Sequence, residues 1–359
     1  MPEPIASSAS PGGLHQVPLA INPLKRKDFT SDQEVRWCPG CGDYAILSTV
    51  QGLLPELGIA RENTVVISGI GCAARFPYYV NSYGMHSIHG RALTIATGLA
   101  VTRPDLAIMV ATGDGDALSI GANHLVHALR RNVNITVVLF NNRIYGLTKG
   151  QYSPTSELGK VTKSSPDGSL DTPVNAVSLA LGAEASFVAR SIDSDRTHLT
   201  ATLRAAFEHR GSSLVEVYQN CPIFNDGAWD DLTGPDSDGV IKLEAGEPVL
   251  TAGGDFGVVQ AADGHLELAR VAEVGLDKVI RHDPHAADPT RAFALSRLTD
   301  SGVMKRSPIG VFRSVERPTF DDMSRQQIAT AQGGAPDSAD EKSAQLQALL
   351  AGDDTWMVA

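Results

Sequence analysis

Two short polar motifs follow neighbouring apolar runs and could together hold a divalent cation. Gly-Asp-Gly occupies 113–115, and Asn-Asn follows at 141–142 after one helix-length and one strand-length segment. The carboxyl ends of adjacent parallel strands meet at one sheet edge, so these motifs are expected to lie side by side. Carboxylate, amide and carbonyl oxygens suit magnesium. The spacing therefore predicts a magnesium site formed by Asp114, the Asn142 side chain and the Ile144 carbonyl.

The same motifs also suit a diphosphate. Gly113 and Gly115 would let the backbone approach an anion closely, and two diphosphate oxygens with one water would complete six magnesium ligands. Gly-Asp-Gly alone is common in tight turns. Followed by a helix, a strand and Asn-Asn, it resembles the magnesium and diphosphate motif of thiamine diphosphate enzymes.

The second group of candidate residues consists of cysteines. The chain has four: Cys38, Cys41, Cys72 and Cys221. No apolar segment of secretory-signal length lies in the first 30 residues, so we expect a cytoplasmic protein without disulfides. Cysteine content alone leaves structural zinc, a 4Fe-4S cluster and unligated core thiols open. Because Cys72 follows the same kind of apolar run as Asp114, its ligand would lie beside the diphosphate, which favours a redox centre.

Regular secondary structure must bring these loops together. Apolar, β-branched runs predict buried strands at 64–71, 106–115, 135–142 and 213–218. Helical spacing of apolar residues predicts helices at 44–57, 91–101, 119–131 and 195–209. This alternation predicts an α/β fold with a doubly wound, mostly parallel sheet.

The pattern is weaker near the ends of the chain. Residues 1–27 and 333–342 are polar or rich in small residues, so we expect little packed structure there. Residues 249–260 could form a hairpin or two strands, and 266–275 a helix. We therefore expect a flexible N-terminal tail at 1–30, a domain at 31–226 that would bind the thiamine diphosphate and the redox centre indicated above, a C-terminal elaboration at 227–332 and a polar tail at 333–359.

Composition excludes several classes of protein. A chain of 359 residues with 42% hydrophobic content can bury a large core. Its apolar runs are far shorter than the roughly 20 residues of a membrane-spanning helix. The net charge of -11 comes entirely from residues after 221, and no basic stripe suits a nucleic acid. We therefore expect neither a membrane nor a nucleic acid as partner.

Six segments between Arg36 and Asp226 resemble the β subunits of 2-oxoacid:ferredoxin oxidoreductases, most closely the 2-oxoglutarate type. They are WCPGCGDY, SGIGCAARFPYY, HSIHGRALTIATG, GDGDALSIGANH, FNNRIYGLTKGQ and NCPIFND. The resemblance implies that the four cysteines ligate one 4Fe-4S cluster and that Asp114, Asn142 and Ile144 hold Mg²⁺. It also implies a thiamine diphosphate site formed by Ile70, Gly71, Cys72, Ala73, His89, Gly113, Gly115, Asp116, Gly146 and Leu147.

The implied activity is oxidative decarboxylation of 2-oxoglutarate with coenzyme A to succinyl-CoA and CO2, with electrons passing through the cluster to ferredoxin. An α subunit would supply the pyrimidine-binding domain and its glutamate, for which this chain offers no convincing candidate. We therefore expect activity only in an αβ assembly, with (αβ)2 stoichiometry. Pyruvate or branched-chain 2-oxoacids are alternative substrates, and a non-catalytic, zinc-stabilised interaction subunit is a further alternative.

His89 and two further residues are candidates for direct contacts during the reaction. By the resemblance, His89 lies near the cofactor as a hydrogen-bond donor, whereas on its own it could cap a helix. Lys149 and Arg75 could each pair with a substrate carboxylate, or could be solvated surface charges. Ferredoxins are generally acidic, so we expect ferredoxin to dock near Cys38 and Arg36, away from the acidic C-terminal third.

Overall fold

An eight-stranded sheet organises the molecule. The computed structural model describes residues 12–234, 237–299, 305–331, 338–352 and 356. Its strands are β1 (Thr64–Ser68), β2 (Tyr83–His86), β3 (Ala107–Gly113), β4 (Ile135–Asn141), β5 (Phe187–Ile192), β6 (Ser212–Tyr218), β7 (Val240–Leu243), β8 (Phe256–Gln260), β9 (Leu266–Arg270) and β10 (Ser307–Ser314). The main sheet has the order β2-β1-β3-β4-β6-β5-β10-β7, and β8 pairs with β9 separately. Within the main sheet only the pairing of β5 with β10 is antiparallel.

Helices cover both faces of this sheet. They are α1 (Asp43–Glu56), α2 (Phe76–Tyr79), α3 (Ala92–Thr102), α4 (Asp114–Leu118), α5 (Ala122–Arg131), α6 (Ala176–Gly182), α7 (Arg196–Glu208), α8 (Asp230–Thr233), α9 (Val271–Val274), α10 (Thr290–Ser296), α11 (Phe320–Ala331) and α12 (Ala339–Ala351). Successive side chains of β3 point to opposite faces. Ile108 and Val110 pack with α3 and α5, whereas Ala107, Met109 and Ala111 pack with α1 and α7. The predicted doubly wound, mostly parallel sheet is therefore confirmed.

The register of the central strands places the functional loops side by side. Gly113 at the end of β3 pairs with Phe140 near the end of β4, so the chain leaves both strands at neighbouring points. Asn141 pairs in turn with Tyr218, the last residue of β6. The segments that follow β3, β4 and β6 therefore begin at one edge of the sheet.

The C-terminal part differs from the sequence expectation. Residues 266–275 were expected to form a helix, but Leu266–Arg270 is strand β9, followed by a single helical turn. Antiparallel pairing with β8 decides the conformation, because the short apolar run fits either a strand or a helix. Residues 249–260 fold back on themselves through a bridge between Leu250 and Gly257, although only Phe256–Gln260 is a strand. β7 and β10 extend the main sheet.

The N-terminal segment packs on the core, whereas the C-terminal helix does not. The expectation of little packed structure is wrong for residues 12–27, since Leu14 and Val17 are buried in the core beside α1 and α7. Residues 1–11 and 332–337 lie outside the described part. Residues 338–342 enter α12, which buries no side chain. Over the described ranges, no helix combines the length and apolar character needed to cross a membrane.

Candidate active site

A cavity opens at the carboxyl ends of β1, β3 and β4. All thirteen residues expected to contact thiamine diphosphate or magnesium line it. Parallel α/β sheets generally bind ligands at this edge, where turns and helix N-termini offer free N–H groups. Asp43, Phe140, Tyr145 and Thr148 also line the cavity, although the sequence analysis did not identify them.

Asp114 is the buried carboxylate of this cavity. It begins α4 directly after β3 and is 3% exposed. The hydroxyls of Ser153 and Thr155 each donate to its Oδ2 at 2.6 Å. Burial raises the pKa of Asp114 to about 6, and these two hydrogen bonds oppose the shift. A divalent cation would favour the ionised form of this carboxylate.

A tight turn after β4 supplies the other expected magnesium ligands. Arg143 adopts a left-handed φ of 58°, which brings the Ile144 N–H within 3.2 Å of Asn142 Oδ1. The Asn142 carbonyl accepts a hydrogen bond from Asn225 Nδ2 at 2.9 Å. Asn142 and Ile144 therefore project from a fixed turn. A single carboxylate with amide and carbonyl oxygens fits a hard cation that keeps phosphate and water ligands.

Asp116 braces the cavity wall. Its carboxylate accepts hydrogen bonds from the backbone N–H groups of Ile70 and Gly90, the Thr112 hydroxyl and, at 2.5 Å, Nδ1 of His89. These donors come from three separate segments of the chain. Asp116 therefore holds the loop after β1 and the segment before α3 against the end of β3, and it orients the His89 ring.

Two positions that line the cavity require glycine, for different reasons. Gly71 has a φ of +124°, a conformation that L side chains rarely adopt, although a Cβ there would meet nothing within 4 Å. Gly115 is needed for a different reason: a Cβ would lie 2.1 Å from the Tyr145 ring. The Tyr145 hydroxyl donates to the Gly115 carbonyl at 3.0 Å, and this hydrogen bond holds the tyrosine ring against Gly115.

The loops that carry the cysteines are joined by hydrogen bonds. Trp37 Nε1 donates to the Cys72 carbonyl at 2.8 Å, and Gly42 N donates to the Asn220 carbonyl at 3.1 Å. A Cβ added to Gly146 would lie 3.5 Å from Cys72 Sγ and 3.7 Å from Cys221 Sγ. Since Gly146 and Cys72 also line the cavity, both sulfurs lie close to the cavity wall.

The four cysteine side chains lie near one another, and three of them are at least partly buried. All four are free of disulfides, and Cys38 is exposed. Burial, followed by the nearby Asp43 carboxylate, raises the pKa of Cys72 to about 12 and also raises the pKa of Cys41. Asp43 is 1% exposed, and its carboxylate oxygens accept no N–H or O–H hydrogen bond.

The spacing of the cysteine side chains differs from that of a site for a single metal ion. In the described ranges, no three His, Cys, Asp or Glu side chains lie close enough together to hold a single metal ion. In a 4Fe-4S cluster each thiolate binds its own iron, so the four sulfurs must surround the cluster instead of meeting at one point. Four neighbouring free thiols fit such a group, which would stabilise the thiolates.

The remaining candidates lie outside the cavity. Lys149 is exposed, with a φ of 76°, in the turn that follows the cavity residues Leu147 and Thr148. Arg75 is half-buried and follows the cavity residue Ala73 on the loop after β1. The structure thus puts both cations next to the cavity without bringing either into its wall.

Ser153 and Thr155 were missed by the sequence analysis. Both lie beyond the turn after β4, in a polar segment that reads QYSPTS. Their only signal was a concentration of hydroxyl side chains shortly after the Asn-Asn motif. No periodicity indicates that this segment returns to Asp114.

Known proteins resemble this chain over most of its length. Residues 69–217 match the family described as thiamine pyrophosphate enzyme, C-terminal TPP binding domain. The 2-oxoglutarate oxidoreductase subunit KorB of Mycobacterium tuberculosis is 60% identical over 344 residues, covering 95% of this chain and 91% of that protein. The 2-oxoacid:ferredoxin oxidoreductase subunit beta of Saccharolobus solfataricus is 45% identical over 192 residues, covering 53% of this chain and 63% of that protein.

A solved structure agrees with these relatives. It is the 2-oxoglutarate:ferredoxin oxidoreductase from Magnetococcus marinus with 2-oxoglutarate, coenzyme A and succinyl-CoA bound. The match has a TM-score of 0.71 and 34% identity, and covers 90% of this chain and 96% of that one. The chain therefore belongs to the family of 2-oxoacid:ferredoxin oxidoreductase β subunits, among those of the 2-oxoglutarate type.

Proposed function

We propose that this chain binds thiamine diphosphate with Mg²⁺, carries one 4Fe-4S cluster and, with an α subunit, converts 2-oxoglutarate and coenzyme A to succinyl-CoA and CO2, passing the electrons to ferredoxin. One observation carries the proposal. The cavity lined by the expected cofactor residues shares Gly146 with the Cys72 and Cys221 sulfurs. Two groups bound there would be close enough to exchange electrons.

In this proposal the chain binds and orients the cofactor. Asp114, Asn142 and the Ile144 carbonyl hold Mg²⁺ and thereby the diphosphate. Thiamine diphosphate, when bound, supplies the nucleophile and the electron sink for decarboxylation. Asp116 accepts the His89 Nδ1 hydrogen bond, which leaves the other ring nitrogen to contact the cofactor or substrate. Arg75 and Lys149 lie on loops that also carry cavity residues, and either would pair with a substrate carboxylate.

The four cysteines would hold the cluster that accepts the electrons one at a time. Cys38 is exposed, so ferredoxin docking over this residue would give electrons a short exit. Arg36 is exposed close by and pairs with Glu34 at 2.8 Å. We expect Arg36→Gln to slow ferredoxin reduction at low salt and to have little effect at high salt. An unchanged rate at low salt would argue against docking here.

The proposed role also implies a partner subunit and a division of the chain into two parts. The α subunit would bring the pyrimidine-binding domain and its glutamate to the open side of the cavity, in an (αβ)2 complex in the cytoplasm. Residues 31–226 would be the cofactor-binding domain, and 227–332 an elaboration that extends its sheet through β7 and β10. The named 2-oxoglutarate enzymes among the relatives support the choice of substrate.

The direct test is turnover of the co-expressed αβ complex, purified without oxygen. Reduction of ferredoxin would be followed with coenzyme A and, separately, 2-oxoglutarate, pyruvate and 2-oxoisovalerate. We expect 2-oxoglutarate to have the highest kcat/KM, and the β subunit alone to be inactive. Preference for another 2-oxoacid would overturn the substrate assignment. Zinc in place of iron and no turnover with any oxoacid would support a non-catalytic subunit.

A further inference from the structure

Gln219 lies between the segments assigned to the two cofactors. It follows β6, two residues before Cys221, and its side chain is fully buried. Nε2 of its amide donates to Cys41 Sγ at 3.3 Å. Gln219 is not a ligand in the proposed function, and the sequence analysis did not single it out. Its side chain nevertheless contacts a proposed cluster ligand from a different loop.

The orientation of the Gln219 amide is determined by its second contact. Nε2 also donates to the backbone carbonyl of Asn220. Only the NH2 end of an amide can donate to a carbonyl, so the reverse orientation would bring two acceptors together. With Nε2 so placed, its remaining hydrogen is available to Cys41 Sγ. The contact with the Asn220 carbonyl therefore supports the N–H···S orientation, which leaves Gln219 Oε1 buried without a hydrogen-bond partner among the described residues.

The main chain of Gln219 is held on both sides. Its N–H donates to the Asn141 carbonyl at 3.0 Å, and its carbonyl accepts from Trp229 Nε1 at 3.1 Å. Asn141 immediately precedes the expected magnesium ligand Asn142. The residue that donates to Cys41 is thus fixed to the turn that carries the metal site.

We propose that Gln219 is a positioning residue that raises the reduction potential of the cluster through its N–H···S hydrogen bond to Cys41. The inference rests on the proposed function, in which Cys41 is a cluster ligand. Reduction adds negative charge to the cluster and its sulfurs, and an N–H dipole aimed at a sulfur stabilises that charge. Because Gln219 is fully buried and Cys41 partly so, solvent screens the interaction weakly. Gln219 thereby favours transfer of electrons to the cluster.

The test compares two substitutions in the anaerobically purified αβ complex. Gln219→Met keeps the length of the side chain and removes the N–H donor. Trp229→Phe removes the donor to the Gln219 carbonyl and leaves the amide in place, so it controls for general loosening of the segment. The readouts are the midpoint potential, from an EPR-monitored redox titration, and the iron content.

We expect Gln219→Met to retain its iron and to shift the midpoint potential to a more negative value, with Trp229→Phe remaining at the wild-type potential. An unchanged potential in Gln219→Met with the cluster intact would overturn the inference. Loss of iron from Gln219→Met would also overturn it, because the residue would then retain the cluster instead of tuning it. Absence of a 4Fe-4S signal in the wild type would refute the proposed function itself.

Discussion

Cys72 and Cys221 come from distant parts of the sequence, yet their sulfurs lie beside the same glycine. A Cβ added to Gly146 would lie 3.5 Å from Cys72 Sγ and 3.7 Å from Cys221 Sγ. Cys72 follows β1, and Cys221 follows β6. Both strands end at the edge where the cofactor cavity opens, and Gly146 lines that cavity. The relationship places the turn that carries Gly146 in van der Waals range of both sulfurs.

Replacing Cys72 tests the assignment of the cluster. Cys72→Ser removes a thiolate and puts a harder ligand in its place, so we expect the αβ complex to lose most of its iron and acid-labile sulfide. The exposed neighbour substitution Arg36→Gln serves as the control and should retain both. Stoichiometric zinc in the wild type, or undiminished iron in Cys72→Ser, would be incompatible with the assignment.

The hydroxyl of Thr155 is expected to support magnesium binding through Asp114. Thr155→Val preserves the shape of the side chain and removes the donor to Asp114 Oδ2. Partners that orient a metal ligand typically contribute about 10–100-fold in affinity, so we expect the Mg²⁺ concentration that half-saturates cofactor rebinding to rise by a factor of that order. Thr155→Ser should restore it. Equal values for the Val and Ser variants would exclude a role for this hydroxyl.

Gly71 should be intolerant of a side chain because of its backbone conformation alone. Its φ is +124° and its surroundings are open, so Gly71→Ala adds strain without a clash and is expected to destabilise the fold by about 1–3 kcal/mol. Gly98, in the interior of α3, also has open surroundings but no positive φ. Gly98→Ala should instead stabilise by about 0.5–1 kcal/mol. Urea unfolding of the two variants tests both signs, and equal effects would contradict the explanation.

His209 should make stability depend on pH. Burial lowers its pKa from 6.5 to about 4, and its Nε2 lies 2.7 Å from the Ser186 hydroxyl. Well above pH 6.5 the ring is neutral in both the folded and unfolded chains. As the pH falls towards 4, the unfolded chain binds a proton first, so the contribution of this histidine to stability is lost, by up to about 3 kcal/mol.

The His209→Gln variant isolates this effect, because other groups titrate equally in both proteins. As the pH falls from 7 to 4, the unfolding free energy of the wild type should decrease more than that of His209→Gln. Urea denaturation at several pH values measures it. A difference that stays constant over this range would show that His209 has the same pKa in the folded and unfolded chains.

The central strands and the expected cofactor residues were predictable because their signal is local. Apolar runs ended in Gly-Asp-Gly or Asn-Asn, and parallel register then brought the ends together. Thr155 and Gln219 were not predictable, since each reaches its partner through a loop path that no periodicity encodes. Leu14 was expected in an unpacked tail, and its burial depends on contacts with residues distant in sequence. The misread β9 depends likewise on its pairing with β8.

The most direct test of the account is whether substrate oxidation reduces the cluster. The oxidised, anaerobic αβ complex would be mixed with 2-oxoglutarate and coenzyme A without ferredoxin, and the EPR and visible spectra followed after rapid freezing. We expect the spectrum of a reduced 4Fe-4S cluster to develop with bleaching, and Cys72→Ser to lack it. Release of CO2 while the cluster stays oxidised, or a protein that contains no iron, would contradict the proposed proximity of the two cofactors.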